Sequence, residues 1–338
     1  MPAAAREAQT GAHDRDWDGV RLHVVTGKGG TGKTTVAAAL ALALAAEGGK
    51  VLLVEVEGRQ GLSQLLDVPP LDYTERQVVR VNGGGEVLGL DVDPKAALLE
   101  YLQLFYRLGR AGGLLEKFGA IDFATTIAPG VRDVLLTGKV YEAVRRRAGG
   151  RPVYDAVVLD APPTGRIQRF LGVNTEVAGL ARVGPIRNQA DSITTMMRSP
   201  QTAVHLVTLL EEMPVQETVD GVAGLRADGL PVGGVVVNLV REPVLAQRRL
   251  TSAARGTLDA EEVAEGLTAA GLPHGVAAVS ALLDEAREHA QRVAVQREER
   301  GRLDELGRPV YELPALTSTV DLGALYQLAD LLREQGMA

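Results

Sequence analysis

Residues 21–35 read RLHVVTGKGGTGKTT, a short apolar run followed by a glycine-rich loop that opens onto a strongly apolar stretch. Arg21 to Thr26 reads as a buried strand, and Thr34 to Glu47 as a helix. Between them GKGGTGKT satisfies G-x-x-x-x-G-K-[ST] in the strand–loop–helix setting that gives this spacing its meaning. Gly27, Gly29, Gly30 and Gly32, with Thr31 among them, let main-chain N–H groups turn inward around phosphates, and the following helix adds its positive end. Lys33 is then placed for the β- and γ-phosphates of a nucleotide, the Thr34 hydroxyl for Mg2+ and Thr35 for the α-phosphate. A second lysine, Lys28, has no partner that such a loop requires. The chain has only six lysines, so two of them within nine residues need an explanation.

Outward from the loop, apolar runs bounded by turns alternate with helical stretches. The runs fall at Lys50 to Glu57, Glu86 to Asp93, Tyr154 to Pro162, Ala203 to Leu209, Gly233 to Val240 and Pro309 to Leu316, and a closing helix spans about Val320 to Glu334. Continuous apolar runs, rather than alternating ones, predict strands buried on both faces, as in a parallel sheet covered by helices. The expected fold class is α/β: a doubly wound, mostly parallel sheet flanked by helices, of the P-loop NTPase kind. Lys95 to Arg147 and Leu180 to Arg198 carry no strand signal. They predict a helical subdomain inserted at about 95–150 and 180–200 within a single domain spanning 18–338, after a disordered tail over 1–17. Glu262 to Leu306 also reads as mostly helical, with the charge run of a solvated face.

Composition narrows the function. No cysteine occurs among 338 residues, which excludes disulfides, thiolate metal sites and thiol chemistry. Five scattered histidines show no metal-binding spacing. The formal charge of −7 disfavours nucleic acid and anionic lipid as partners. The longest apolar run, Val36 to Ala46, has eleven residues where a membrane span needs about 20, and the N-terminus lacks a signal-peptide core. The expectation is a cytoplasmic protein with no integral membrane segment.

KGGTGKTT resembles the deviant Walker A motif of the P-loop class that includes MinD, ParA, the nitrogenase iron protein and the ArsA/Get-type ATPases. In that class the early lysine crosses a dimer interface to the phosphates on the facing subunit, which gives Lys28 a role in trans and makes the working unit a dimer. Further segments are similar to the ArsA/Get branch. VVLDAPPTGRIQRFL (Val157 to Leu171) resembles its switch II, usually D-T-A-P-T-G-H-T-L-R. The resemblance implies that Asp160 holds Mg2+ through water, that Gly165 senses the γ-phosphate, and that Arg166 stands in place of the family's histidine. VVVN (Val235 to Asn238) is similar to the strand whose asparagine reads adenine, although an Asn ending a strand is also a common turn residue. ELPAL (Glu312 to Leu316) is similar to the loop in which Pro314 would pack on the base. EEMPVQET (Glu211 to Thr218) matches the family's strand-to-helix junction without adding chemistry.

Switch I departs from the pattern. Where the family has D-P-A-H-S-L-S-D, this chain has EGRQGLSQ, which puts Glu57 on the aspartate that orients the attacking water. Either Glu57 positions water with altered geometry, or the subunit hydrolyses poorly and works as a regulatory scaffold. The partner is then a second copy in a homodimer, or a paralogous ATPase that keeps the aspartate in a heterodimer. Without cysteines the arsenite chemistry of ArsA and the zinc clamp of Get-type factors are both missing. The remaining expectation is a protein client at the helical insertion, whose apolar residues otherwise form its own core.

Overall fold

The computed structural model describes residues 16–106, 129–180, 185–316 and 320–338. An eight-stranded sheet runs in the order β10-β9-β8-β1-β7-β2-β4-β3. Its strands are β1 (Leu22–Gly27), β2 (Lys50–Glu55), β3 (Arg76–Arg80), β4 (Glu86–Asp91), β7 (Ala156–Asp160), β8 (Thr202–Thr208), β9 (Val232–Val240) and β10 (Val310–Pro314). Seven are parallel, at the positions the apolar runs predict. The eighth, β3, pairs antiparallel with β4 at the edge. Its only apolar residues are the pair Val78-Val79, flanked by Arg76, Gln77 and Arg80, and it turns back through Asn82-Gly83-Gly84, so a search for continuous apolar runs passes over it. A second departure lies at the end of the stretch expected to be helical, where Arg147–Ala148 (β5) and Arg151–Pro152 (β6) form a short exposed hairpin.

Both faces of the sheet are covered, as continuous apolar strands require. On one face lies α1 (Lys33–Ala45), buried on almost every side because it is wedged between the sheet and the closing helix α11 (Leu322–Glu334). Its sequence is therefore apolar all round rather than striped. The other face is covered by α3 (Pro94–Tyr106), α4 (Pro129–Arg145), α5 (Thr164–Leu180), α6 (Pro185–Met197) and α7 (Glu212–Ala227), which follow the short α2 (Gly61–Leu65) in the chain. Leu135, Leu136, Val140, Ala143 and Val144 of α4 share one buried cluster with Leu22, Val24, Leu52 and Leu159 of the sheet. This half of the stretch read as an insertion thus serves as a covering layer of the core. Residues 107–128 and 181–184 of the expected insertions lie outside the described residues.

After β9 come α8 (Gln247–Ala254), α9 (Ala260–Ala269) and the 29-residue α10 (Val276–Asp304), whose buried residues are few. A small cluster of Leu250, Ala253, Ala290 and Val293 holds this group together. Among the described residues no helix is long and apolar enough to cross a membrane.

The last two residues of the stretch expected as a tail, Asp16 and Trp17, are described. Residues 1–15 lie outside the described set, but Asp16 and Trp17 are fastened to the sheet. Trp17 Nε1 donates to Tyr311 Oη (2.9 Å), and Tyr311 Oη donates to Asp16 Oδ2 (2.6 Å). The Trp17 ring meets His205 edge-on, and His205 stacks on His23. The N–H of Gly234 donates to His205 Nδ1 (3.1 Å). That bond fixes the His205 proton on Nε2, which donates to His23 Nδ1 (3.1 Å).

Such a pair is held neutral. Burial pushes His23 down to about 4, opposed in part by the Val20 backbone, and burial with the neighbouring His23 and Arg308 pushes His205 well below its ordinary value. A lowered histidine favours folding fully above pH about 6.5 and loses that contribution as pH falls toward 4. For His23 alone the loss amounts to about 3 kcal/mol. Urea unfolding at stepped pH should therefore show stability falling between pH about 6.5 and 4, and His23→Gln should flatten that slope; parallel slopes for the two proteins would exclude the pair as the cause.

Candidate functional site

The register of the central strands sets the site. Val25 of β1 pairs with Asp160, the last residue of β7, so both strands deliver their ends to the same level. The loop after β1 then starts α1 beside that carboxylate, and Thr34 Oγ1 donates to Asp160 Oδ2 (2.7 Å). Thr26 Oγ1 donates to the Pro162 carbonyl (2.7 Å), which ties the end of β1 to the segment following β7.

Two glycines of the loop are needed for close approach. A Cβ at Gly27 would lie 2.2 Å from the Val207 carbonyl oxygen. Gly32 is left-handed at φ 86°, and a Cβ there would lie 2.3 Å from Asn238 Nδ2. Thr31 is buried and turns its hydroxyl onto the Lys28 carbonyl (2.9 Å), closing the loop from inside. The N-terminus of α1 has no side-chain cap, so the amides of Lys33, Thr34 and Thr35 are available to an anion. Gly29 and Gly30 have open space around them.

Lys33 points inward, its Nζ 3.4 Å from the Lys28 carbonyl. Burial lowers its pKa, while Asp160 and Glu57 act in the opposite sense. The Asp160 carboxyl is pushed up to about 6, chiefly by burial, with the Thr34 hydrogen bond opposing and the Glu55 charge adding to the rise. A hydroxyl and a carboxylate in contact at a buried position suit a hard divalent cation that takes its remaining oxygens from water and phosphate. No group of three or more metal-binding side chains occurs among the described residues, so a cation here would depend on the nucleotide for its other ligands.

Glu55, at the end of β2, is nearly fully buried, and sequence reasoning passed over it. Its two oxygens accept from the N–H groups of Gly61 (3.1 Å) and Leu62 (3.3 Å), and Gly61 lies against Thr34. The available signal was a lone carboxylate inside an apolar run. Gln60 was missed as well. It sits in left-handed backbone (φ 55°) and fastens the turn: its amide nitrogen donates to the Leu71 carbonyl (3.0 Å) and Asp91 (2.9 Å), and its amide oxygen accepts from Leu71 N–H (2.8 Å). A strained non-glycine residue of this kind costs on the order of 1–3 kcal/mol and persists only where its surroundings hold it.

Glu57 lies beyond that turn with its carboxylate 3.4 Å from the Arg166 guanidinium and 3.5 Å from that of Arg59. Arg166 stands beside Gly165 on the first turn of α5, and Gly165 has open space around it. The two departures from the family pattern, Glu57 and Arg166, thus touch each other.

On the other side of the loop Asn238 is buried and its Nδ2 donates to the Thr31 carbonyl (2.9 Å). Neither the turn role nor the base-reading role considered for it included this contact. Pro314 pairs with Val240 and is exposed, which sets it on the strand end next to Asn238. A cavity of about 980 Å³ opens alongside, lined by Asn238, Leu239, Leu245, Val263, Leu282 and His289 among others. Lys28 is turned away from the loop interior, its Nζ 2.9 Å from Glu217 of α7.

Comparison with known proteins agrees with this architecture. The family model described as anion-transporting ATPase matches residues 20–200. The chain is 52% identical over 320 residues to the ATPase BagA of Mycobacterium tuberculosis, covering 94% of each chain. It is 28% identical over 186 residues to the ATPase GET3 of Rhodotorula glutinis, covering 53% of this chain and 50% of that one. It is 26% identical over 277 residues to the ATPase ARSA1 of Chlamydomonas reinhardtii, covering 65% and 35% respectively. A family match over more than half the chain and a near-full-length relative agree with the P-loop geometry: the chain belongs to the anion-transporting ATPase family, in its ArsA/Get-type form.

Proposed function

We propose that the chain binds and hydrolyses Mg·ATP as one subunit of a nucleotide-gated dimer that acts on a protein client, and not as a thiol-based arsenite pump. The observation that carries this reading is the Thr34–Asp160 contact beneath an uncapped helix N-terminus, with Lys33 turned into the same space. In the proposed cycle the loop amides and Lys33 hold the phosphates, and Thr34 and Asp160 would hold Mg2+. The cation would supply charge neutralisation between the β- and γ-phosphates. Glu57 orients the attacking water once Arg166 and Arg59 release it, Lys28 of each subunit reaches the phosphates of the other, and Gly165 follows the γ-phosphate. Asn238 and Pro314 flank adenine. Absence of cysteine from the whole chain supports the exclusion of thiolate metalloid chemistry. The client surface is assigned to the stretch at about 95–150 that the sequence reads as an insertion.

A second reading has its own observation. Glu57 is held between two arginines and is one methylene longer than the family's aspartate, which fits a subunit that binds ATP with little turnover beside a paralogous ATPase.

Steady-state ATPase assays on the purified protein, with any copurifying partner, test these readings. Lys33→Ala should abolish turnover. Lys28→Ala should retain a fluorescent ATP analogue yet lose turnover by on the order of a thousandfold, as loss of a trans-acting cation does; full activity in Lys28→Ala would refute the trans assignment. Glu57→Asp should raise turnover by up to about a hundredfold if carboxylate placement is limiting, and an unchanged rate would remove switch I as the limiting element. Asn238→Ala should weaken ATP binding about tenfold, or about 1.4 kcal/mol, and should erode preference for ATP over GTP. Equal losses for both nucleotides would confine Asn238 to fastening the loop.

A further inference from the structure

Lys28 is the one lysine of the loop that faces outward, and its partner lies on the same chain. Its Nζ sits 2.9 Å from Glu217 Oε1, with 31% and 38% of the two side chains exposed. Glu217 lies on the second turn of α7 (Glu212–Ala227). Gly221 and Gly224 follow at i+4 and i+7 on the same helix face. At both glycines α7 runs against the beginning of α5: a Cβ at Gly221 would lie 2.5 Å from Thr164 Cγ2, and one at Gly224 2.4 Å from Gln168 Nε2. Thr164 and Gln168 bracket Gly165, the residue assigned to the γ-phosphate. One face of a single helix therefore touches the P-loop lysine at one end and the switch II helix at the other.

Little slack exists between these contacts. Val215, Val222 and Leu225 of α7 are buried, and packed interiors shift as units rather than deforming smoothly. A displacement at the start of α5 must move α7, and with it the carboxylate that holds Lys28.

We infer that Glu217 is a positioning residue that parks Lys28 in cis, and that α7 releases it when the Thr164–Gln168 turn shifts. This rests on the reading of Lys28 as the lysine that acts across the dimer. In the parked state Lys28 is unavailable to the facing subunit, so the ion pair sets how readily two subunits engage. Exposed pairs of this kind move an equilibrium by about 1.4- to 5-fold, enough to tune assembly without blocking it.

The test follows specific ATPase activity against protein concentration for the chain, with any partner subunit that copurifies with it, in wild type, Glu217→Gln and Lys28→Ala. Glu217→Gln should move the half-maximal protein concentration down by about 1.4- to 5-fold, and the difference should vanish in 1 M salt, where screening reaches about 3 Å. A role confined to helix stability would shift the melting temperature and leave that midpoint in place, which would overturn the inference. If Lys28→Ala is inactive while Glu217→Gln leaves the midpoint unmoved, the parking contact fails and the trans reading stands. If Lys28→Ala matches wild type, both fall.

Discussion

The hydrogen bond from Thr34 to Asp160 is the contact around which the rest of the molecule is arranged. It requires the first turn of α1 and the last residue of β7 to meet at one height, which the Val25–Asp160 register provides. That register needs β7 to lie directly beside β1, although some 130 residues separate them in the chain. The long excursion between them is then obliged to return over the sheet face, and α4 accordingly becomes part of the core. The local chemistry of one hydroxyl and one carboxylate thus constrains the topology of half the chain. The same closeness concentrates charge: Asp160, Glu55 and Glu57 all act on the same small volume, and burial holds Asp160 well above the usual carboxylate range.

Much of this was legible before the coordinates. The seven parallel strands announce themselves because burial on both faces demands uninterrupted apolar residues, and the loop motif fixes where β1 stops and α1 starts. The edge strand β3 was not legible by that criterion, since an edge strand is free to carry charged and polar residues, here Arg76, Gln77 and Arg80 around two valines. The site divides in the same way. Lys33 and Thr34 come from a motif whose spacing is set by phosphate geometry, and Asp160 from a resemblance carried by the segment that ends an apolar strand. Glu55, Gln60 and Glu217 obey no spacing rule: each is defined by what folding brings to it, a pair of amides, a loop at Leu71 and a lysine nearly 190 positions away. Sequence shows such residues only as a carboxylate in an apolar run, or as an unremarked glutamate in a helix.

Two substitutions that looked independent in the sequence meet in space. Glu57 and Arg166 are the positions read from the sequence as departing from the family's switch I and switch II patterns, and the guanidinium of the second reaches the carboxylate of the first. The two segments are thereby joined through a contact that an exposed arginine can release, because a partly solvated ion pair is weak. Gln60 supplies the fixed end of this arrangement, pinning the turn from which Glu57 extends.

The lone tryptophan occupies an unusual place in this scheme. Trp17 is hydrogen-bonded to Tyr311 on β10, meets His205 of β8 with its ring edge and has the Arg308 guanidinium over its face. It therefore touches the strand that ends in Pro314 and the strand beside β9, both of which run on to the nucleotide end of the sheet. Because the chain has no other indole, its tryptophan emission is the signal of this one junction. The molecule carries a built-in optical gauge, sensitive to how firmly Asp16 and Trp17 are seated on the sheet.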